Sequence, residues 1–105
     1  MKLKFESFDH FYSYYLLQHQ SKMNRFCHFV GTSATLMLML LILLTEYWKL
    51  AWFLPVTGYG LAWFGHWVFE GNNPASFKYP LYSLRADIRM YLDMIKYQWP
   101  RNEID

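Results

Sequence analysis

A single cysteine, Cys27, stands in this chain of 105 residues. One thiol excludes a disulfide within a monomer and any cysteine-rich zinc or iron–sulfur centre. Its plainest role is that of a small packing residue. Charge is also scarce: 17% of the residues carry it, where a soluble domain carries roughly 25%. The formal net charge of +2 is too small to point to nucleic acid, and no such partner is expected. Repeats, low-complexity tracts and long linkers are missing. A cleavable signal peptide is not expected either. The start, MKLKFESFDHFYSYY, is basic but has no apolar core followed by small residues. Insertion into a membrane would have to use an internal segment.

What the chain has in excess is apolar and aromatic. It is 54% hydrophobic and 22% aromatic, with five Trp, nine Tyr and nine Phe. A water-soluble core of this size cannot easily hide so many rings, and lipid offers another place for them. Two windows of twenty residues contain no Asp, Glu, Lys or Arg: FCHFVGTSATLMLMLLILLT, between Arg25 and Glu46, and LAWFLPVTGYGLAWFGHWVF, between Lys49 and Glu70. A helix of about 20 residues rises roughly 30 Å, the thickness of a bilayer's hydrocarbon core. The second window holds Pro55, Gly58, Gly60 and Gly65, which membrane helices tolerate when neighbours satisfy the backbone.

The expected fold is therefore an all-α membrane protein, a two-span transmembrane helical hairpin flanked by N- and C-terminal amphipathic helices. It forms a single membrane domain over 1–105, with an amphipathic helix at 4–20, spans at 24–45 and 50–70, a loop at 71–82 and a second amphipathic helix at 83–99. The four-residue turn from Glu46 to Lys49 makes the spans antiparallel. Tyr47, Trp48 and Trp52 would mark one membrane interface, and Trp63 and Trp67 the other. Basic residues crowd the outer ends: Lys2, Lys4, Lys22 and Arg25 before the hairpin, and Lys78, Arg85, Arg89, Lys96 and Arg101 after it. The positive-inside rule then puts both termini in the cytoplasm, in the inner membrane of a bacterium or the endoplasmic reticulum of a eukaryote. Phe5, Phe8, Tyr12, Tyr15, Leu16 and His19 form one helical stripe. Leu84, Ile88, Tyr91, Leu92, Ile95 and Trp99 form another, with Ser83 as its expected N-cap. Both helices would lie along the interface or cover the hairpin's mouth. A lone hairpin buries little surface, and a homo-oligomer would supply more.

The histidines carry the chemistry. His28 enters the first span at its cytoplasmic end, and His66 lies near the end of the second. Antiparallel spans bring the two to one depth, and His19 sits on the helix leading in. Asn24 and His28 are four apart, as are His66 and Glu70, so each pair shares a helix face. Ionisable groups at membrane depth are costly and mark function. Imidazoles with a carboxylate suit iron, zinc or manganese. His10 reads as an exposed helix residue.

The stretches HQSKMNRFCHFVG, GHWVFEGNNPASF and PLYSLRADIRM resemble the membrane-bound 2-hydroxy fatty acid dioxygenases, named for metabolism of phytosphingosine to odd-numbered fatty acids. The shared pattern falls on His19, Asn24, His28 and Gly31, then Gly65, His66, Glu70, Asn72, Pro74 and Ala75, then Ser83, Leu84 and Asp87. The resemblance implies iron(II)-dependent alpha-oxidation of a 2-hydroxy fatty acid with dioxygen to a product one carbon shorter. It implies His19, His28 and His66 as metal ligands. Octahedral iron would then keep three positions, two for the acid's carboxylate and hydroxyl and one for dioxygen. That count favours Glu70 beside the metal rather than on it, orienting an imidazole or taking the hydroxyl proton. Asn24 and Asn72 are the expected supporting hydrogen-bond donors. Arg25 and Arg85, with Arg89 behind them, are candidates for the substrate carboxylate, while Pro74 and Asp87 read as structural. Two alternatives are a haem electron carrier ligated by two histidines and a non-catalytic membrane scaffold.

Overall fold

The computed structural model describes residues 5–97, and these are helical with short connections. The expected roles of Lys2, Lys4, Trp99 and Arg101 lie outside the described residues. Helix α1 spans Phe8–Leu17. Its N-cap Ser7 accepts from His10 N at 3.2 Å, and Asp9 adds an acid to the first turn. Helix α2 spans Lys22–Thr45 and is capped the same way, Ser21 Oγ accepting from Asn24 N at 3.3 Å. It ends at Glu46, which adopts a left-handed φ of 58° and closes on Ile42 O.

The second limb is helical but irregular. A 3₁₀ segment, Trp48–Phe53, leads to a π-helical stretch, Val56–Gly60. Helix α3, Leu61–Gly65, and another π stretch, His66–Glu70, complete it. Pro55 offers no N–H, and Gly58 and Gly60 weaken the α-helical preference, which suits the wider turns that follow. The run 54–70 therefore rises about 25 Å at most, whereas α2 rises about 36 Å. Among the described residues α2, with a mean hydropathy of 2.0, is the one helix long and apolar enough to cross a membrane. The expectation of two regular spans is met by one limb only.

The limbs pack antiparallel along small residues. Thr35 Oγ1 lies 2.9 Å from Thr57 Oγ1 near the middle of the seam. A Cβ on Gly31 would stand 3.1 Å from Thr57 O. One on Gly65 would overlap Asn24 Oδ1 and stand 3.0 Å from Cys27 Cβ. Cys27, Gly31 and Thr35, four residues apart, thus let the backbones approach closely.

Helix α4 spans Pro80–Tyr97, beginning three residues before the expected cap. Pro80 fits a first turn, where no N–H is needed, and Ser83 N already donates to Tyr79 O at 2.8 Å. Ser83 is therefore inside the helix and does not cap it. Phe11, Tyr12, Tyr15 and Leu16 of α1 form a core with Ala75, Ala86 and Met90. The α1 stripe is thus spent on α4. The α4 stripe behaves differently: Leu84, Ile88, Leu92 and Ile95 are each more than half exposed, and Ala86 and Met90 face α1 instead. Tyr12 donates to Asp93 at 2.8 Å, and Arg89 to Asp9 at 2.8 Å, tying the two helices together.

Candidate metal centre

Three imidazoles meet where α1, α2 and the second limb converge. His19 follows α1, His28 is on α2, and His66 opens the last π stretch. All three are buried, His19 at 0%, His28 at 6% and His66 at 1% exposure. His19 Nε2 lies 3.1 Å from His28 Nε2 and 2.9 Å from His66 Nε2.

The outer ring nitrogens decide what these contacts are. His19 Nδ1–H donates to the carbonyl of Tyr15 at 2.6 Å. His28 Nδ1–H donates to Asp87 Oδ1 at 2.9 Å. His66 Nδ1–H donates to Asn72 Oδ1 at 2.7 Å. Asn72 is oriented by its own amide nitrogen, which donates to Gln18 O at 3.3 Å and Gln18 Oε1 at 3.1 Å. With each Nδ1 bound to an acceptor, each neutral ring carries its proton there and turns a bare lone pair inward. The lone pair of His19 Nε2, about 3 Å from those of His28 and His66, is repelled by both, so these contacts are not hydrogen bonds between neutral rings. An electron-pair acceptor in their midst removes the conflict. Nitrogens about 2.1 Å from a metal and at right angles to one another would stand about 3.0 Å apart, and tetrahedral ones about 3.4 Å. The two separations from His19 are those of neighbouring ligands on one metal ion. Among the described residues these three histidines form the group that could hold a metal ion, with ligand atoms within 4.8 Å of one another. Burial, with the two neighbouring imidazoles, holds His19 well below the usual imidazole range, which keeps it neutral and able to ligate.

Local sequence explains the placement. Gly71 takes a left-handed φ of 76° and closes the limb, its N–H bonding to His66 O at 2.8 Å. That reversal brings Asn72 back beside the His66 ring. Tyr15 precedes His19 by four residues, so the end of α1 offers that ring a carbonyl, which also accepts from Gln18 N at 3.1 Å.

The remaining candidates scatter. Glu70 does not hydrogen-bond an imidazole: Oε1 accepts from Ser21 N at 3.0 Å and Asn24 Nδ2 at 3.0 Å. Its carboxylate sits at the N-terminus of α2 and ties the second limb to it. Asn24, fully buried, is the other end of that tie. Asn72 supports a ligand, but as an acceptor toward it. Arg25 donates to the carbonyls of Gln20 at 3.1 Å and His19 at 3.4 Å. Arg85 lies over the Phe8 ring, 4.1 Å from its centroid, in a separate surface hollow with Asp9 and Arg89. His10 is exposed and apart from the cluster. The residue that sequence reasoning missed is Asp87. It accepts from His28, from Tyr15 Oη at 3.2 Å and from Thr32 Oγ1 at 3.4 Å. The sequence carries a signal for it in the Ser-Leu-x-x-Asp match, where the expected role is structural.

An apolar cavity of about 490 Å³ opens beside the imidazoles. His28, His66 and Asp87 lie at one end, and the walls follow the seam between α2 and the second limb to Met39 and Leu54. A two-histidine haem does not fit. Its axial nitrogens would stand about 4 Å apart on opposite sides of a macrocycle, whereas these lie side by side.

Residues 5–99 match the family model described as 2-hydroxy-palmitic acid dioxygenase Mpo1-like. The chain belongs to this family. No curated protein and no solved structure matches it significantly.

Proposed function

We propose that this member of the Mpo1-like family is an integral membrane, iron(II)-dependent dioxygenase that shortens 2-hydroxy fatty acids by one carbon. The observation that carries the proposal is the set of three converging Nε2 lone pairs, each fixed by an acceptor on the far side of its ring. His19, His28 and His66 would hold the ion. Bound there, iron(II) would supply open coordination positions and the one-electron redox chemistry that lets dioxygen attack a closed-shell acid. The histidines are neutral ligands, which suits a site that must also accept an anionic substrate.

The chain's own residues do the rest. Asp87 and Asn72 hold two rings in one tautomer and one orientation. Tyr15 supports Asp87 through its hydroxyl and His19 through its carbonyl. The apolar cavity receives the acyl chain and keeps water from the reacting end. Glu70 anchors the end of the second limb to α2 and so holds His66 near His28. With dioxygen as oxidant, the atoms balance when a 2-hydroxy acid gives an acid one carbon shorter, carbon dioxide and water.

The membrane reading rests on α2 and on its surroundings. Leu36, Met37, Leu40, Leu43 and Leu44 are about half exposed or more, as are Trp48, Trp52 and Phe53 at the hairpin's tip. A surface this apolar calls for lipid. The 3₁₀ segment lengthens the second limb toward a crossing, with Glu46 to Lys49 on the outer side and both termini in the cytoplasm.

The test is to purify the chain in detergent without chelators or a metal-affinity tag, measure its metal, and identify the product of 2-hydroxyhexadecanoic acid by mass spectrometry. Iron together with the one-carbon-shorter acid supports the proposal. An active preparation without iron, or a product of unchanged chain length, overturns it.

A further inference from the structure

The cavity wall contains two buried polar groups that the described residues leave unpaired. The other buried hydroxyls nearby are spent. Tyr15 and Thr32 donate to Asp87, and Thr35 bonds to Gly31 O and Thr57. Ser83 Oγ and Trp63 Nε1 are buried with no hydrogen-bond partner, and both residues line the cavity that His28 and His66 close. Ser83 is only 4% exposed. A buried donor without a partner costs free energy that the fold would avoid by using alanine or phenylalanine.

Their positions suggest what they wait for. Ser83 lies one turn before Asp87 on α4, so both share the face toward the imidazoles. Trp63 lies three residues before His66 on the opposite wall. Its ring is held by Tyr59, with centroids 5.3 Å apart, and by Phe77, at 5.2 Å. Among the described residues no arginine or lysine lines the cavity. A carboxylate entering it would therefore need neutral donors. An indole N–H can only donate, and a carboxylate can only accept.

We propose that Ser83 Oγ–H and Trp63 Nε1–H clamp the carboxylate of the fatty acid at the metal end of the cavity, with the acyl chain running toward Met39 and Leu54. His28 to Met39 spans eleven residues of α2, about 16 Å, a reach suited to a long chain. This inference rests on the proposed substrate class. It replaces Arg25 and Arg85 as the carboxylate anchor. Ser83 and Trp63 are positioning residues for the acid, not metal ligands.

The experiment compares two ligands of equal chain length under argon, so that nothing turns over. Full-length protein in detergent, as purified, is titrated with 2-hydroxyhexadecanoic acid and with 1,2-hexadecanediol, which has no carboxylate. Ser83→Ala and Trp63→Phe should each weaken the acid roughly tenfold, the worth of a hydrogen bond to a charged group. Binding of the diol, whose hydroxyls accept only neutral hydrogen bonds, should weaken several-fold less than that of the acid. Ser83→Ala should also leave ligand-free thermal stability equal or higher, because it deletes an unpaired buried group without shortening the helix. Equal weakening of acid and diol would mean that the two residues only shape the cavity, and would overturn the clamp. Unchanged acid binding would overturn it as well. Oxygen uptake by the wild type is measured separately, so that failure of the dioxygenase reading is seen apart from failure of the clamp.

Discussion

Asp87 offers the sharpest perturbation of the metal site that leaves every ligand in place. Its Oδ1 accepts from His28 Nδ1 at 2.9 Å and from Tyr15 Oη at 3.2 Å, while Oδ2 accepts from Thr32 at 3.4 Å. Asp87→Asn keeps the size and one acceptor oxygen, so His28 can retain its tautomer. What it removes is charge. A charge-assisted hydrogen bond contributes about 1.5–3 kcal/mol and a neutral one about 0.5–1.5 kcal/mol. The difference, about 1–1.5 kcal/mol, corresponds to roughly tenfold weaker iron binding. Asp87→Ala removes the acceptor altogether and frees the ring to rotate. Its loss should approach the hundredfold end of the range for residues that orient metal ligands, about 10–100-fold. Tyr15→Phe, which keeps the carboxylate and deletes one of its donors, should fall short of the asparagine variant. Competition titration of iron against a chelator, on the detergent-solubilised chain, measures all three. Wild-type affinity in both Asp87 variants would refute the argument that this carboxylate orients His28. Complete loss of iron in the asparagine variant, as in His28→Ala, would make Asp87 itself a ligand.

The remaining expectations concern other parts of the chain. His19→Ala, His28→Ala and His66→Ala should each deplete iron and abolish turnover while the protein still inserts, and His10→Ala should do neither. A lone effect of His10→Ala on activity would reverse the ligand assignment. Glu70→Gln should keep its iron and lower stability by about 1 kcal/mol in thermal unfolding, since the carboxylate caps α2 and ties the limbs. Iron lost in step with activity would place Glu70 on the metal. A cysteine introduced at Trp48, with Cys27 replaced, should react with an impermeant thiol reagent in intact cells. Labelling at the termini instead would invert the topology.

The parts legible in the sequence were those that depend on periodicity and on chain geometry. A charge-free window with clustered Leu and Met specifies α2, and a short turn makes the second limb antiparallel. Those two facts bring His28 and His66 together. His19 joins them because it ends a helix whose stripe was also visible. What the sequence concealed was each group's partner. Glu70 and His66 are four apart, but a π stretch sends their side chains to different places, and the Ser21 N–H at the start of α2 claims the acid. Asp87 is an ordinary helix charge until α4 is docked on α2. The α4 stripe is divided for a related reason: Ala86 and Met90 take the face toward α1, Tyr91 stacks on Phe29 of α2, and Leu84 and Ile88 line the cavity. Arg85 and Arg89 are drawn to Phe8 and Asp9, contacts that span about eighty residues of sequence and that no local pattern reveals.

The central claim is that three histidines hold iron for oxidation of a 2-hydroxy acid. Oxygen uptake on addition of 2-hydroxyhexadecanoic acid tests it most directly, with the chain reconstituted in parallel with iron(II) and with zinc. Uptake by the iron form alone, equimolar with the shortened acid and lost in His28→Ala, is the expected result. An iron form that holds its metal through His19, His28 and His66 yet consumes no oxygen with the acid would contradict the account.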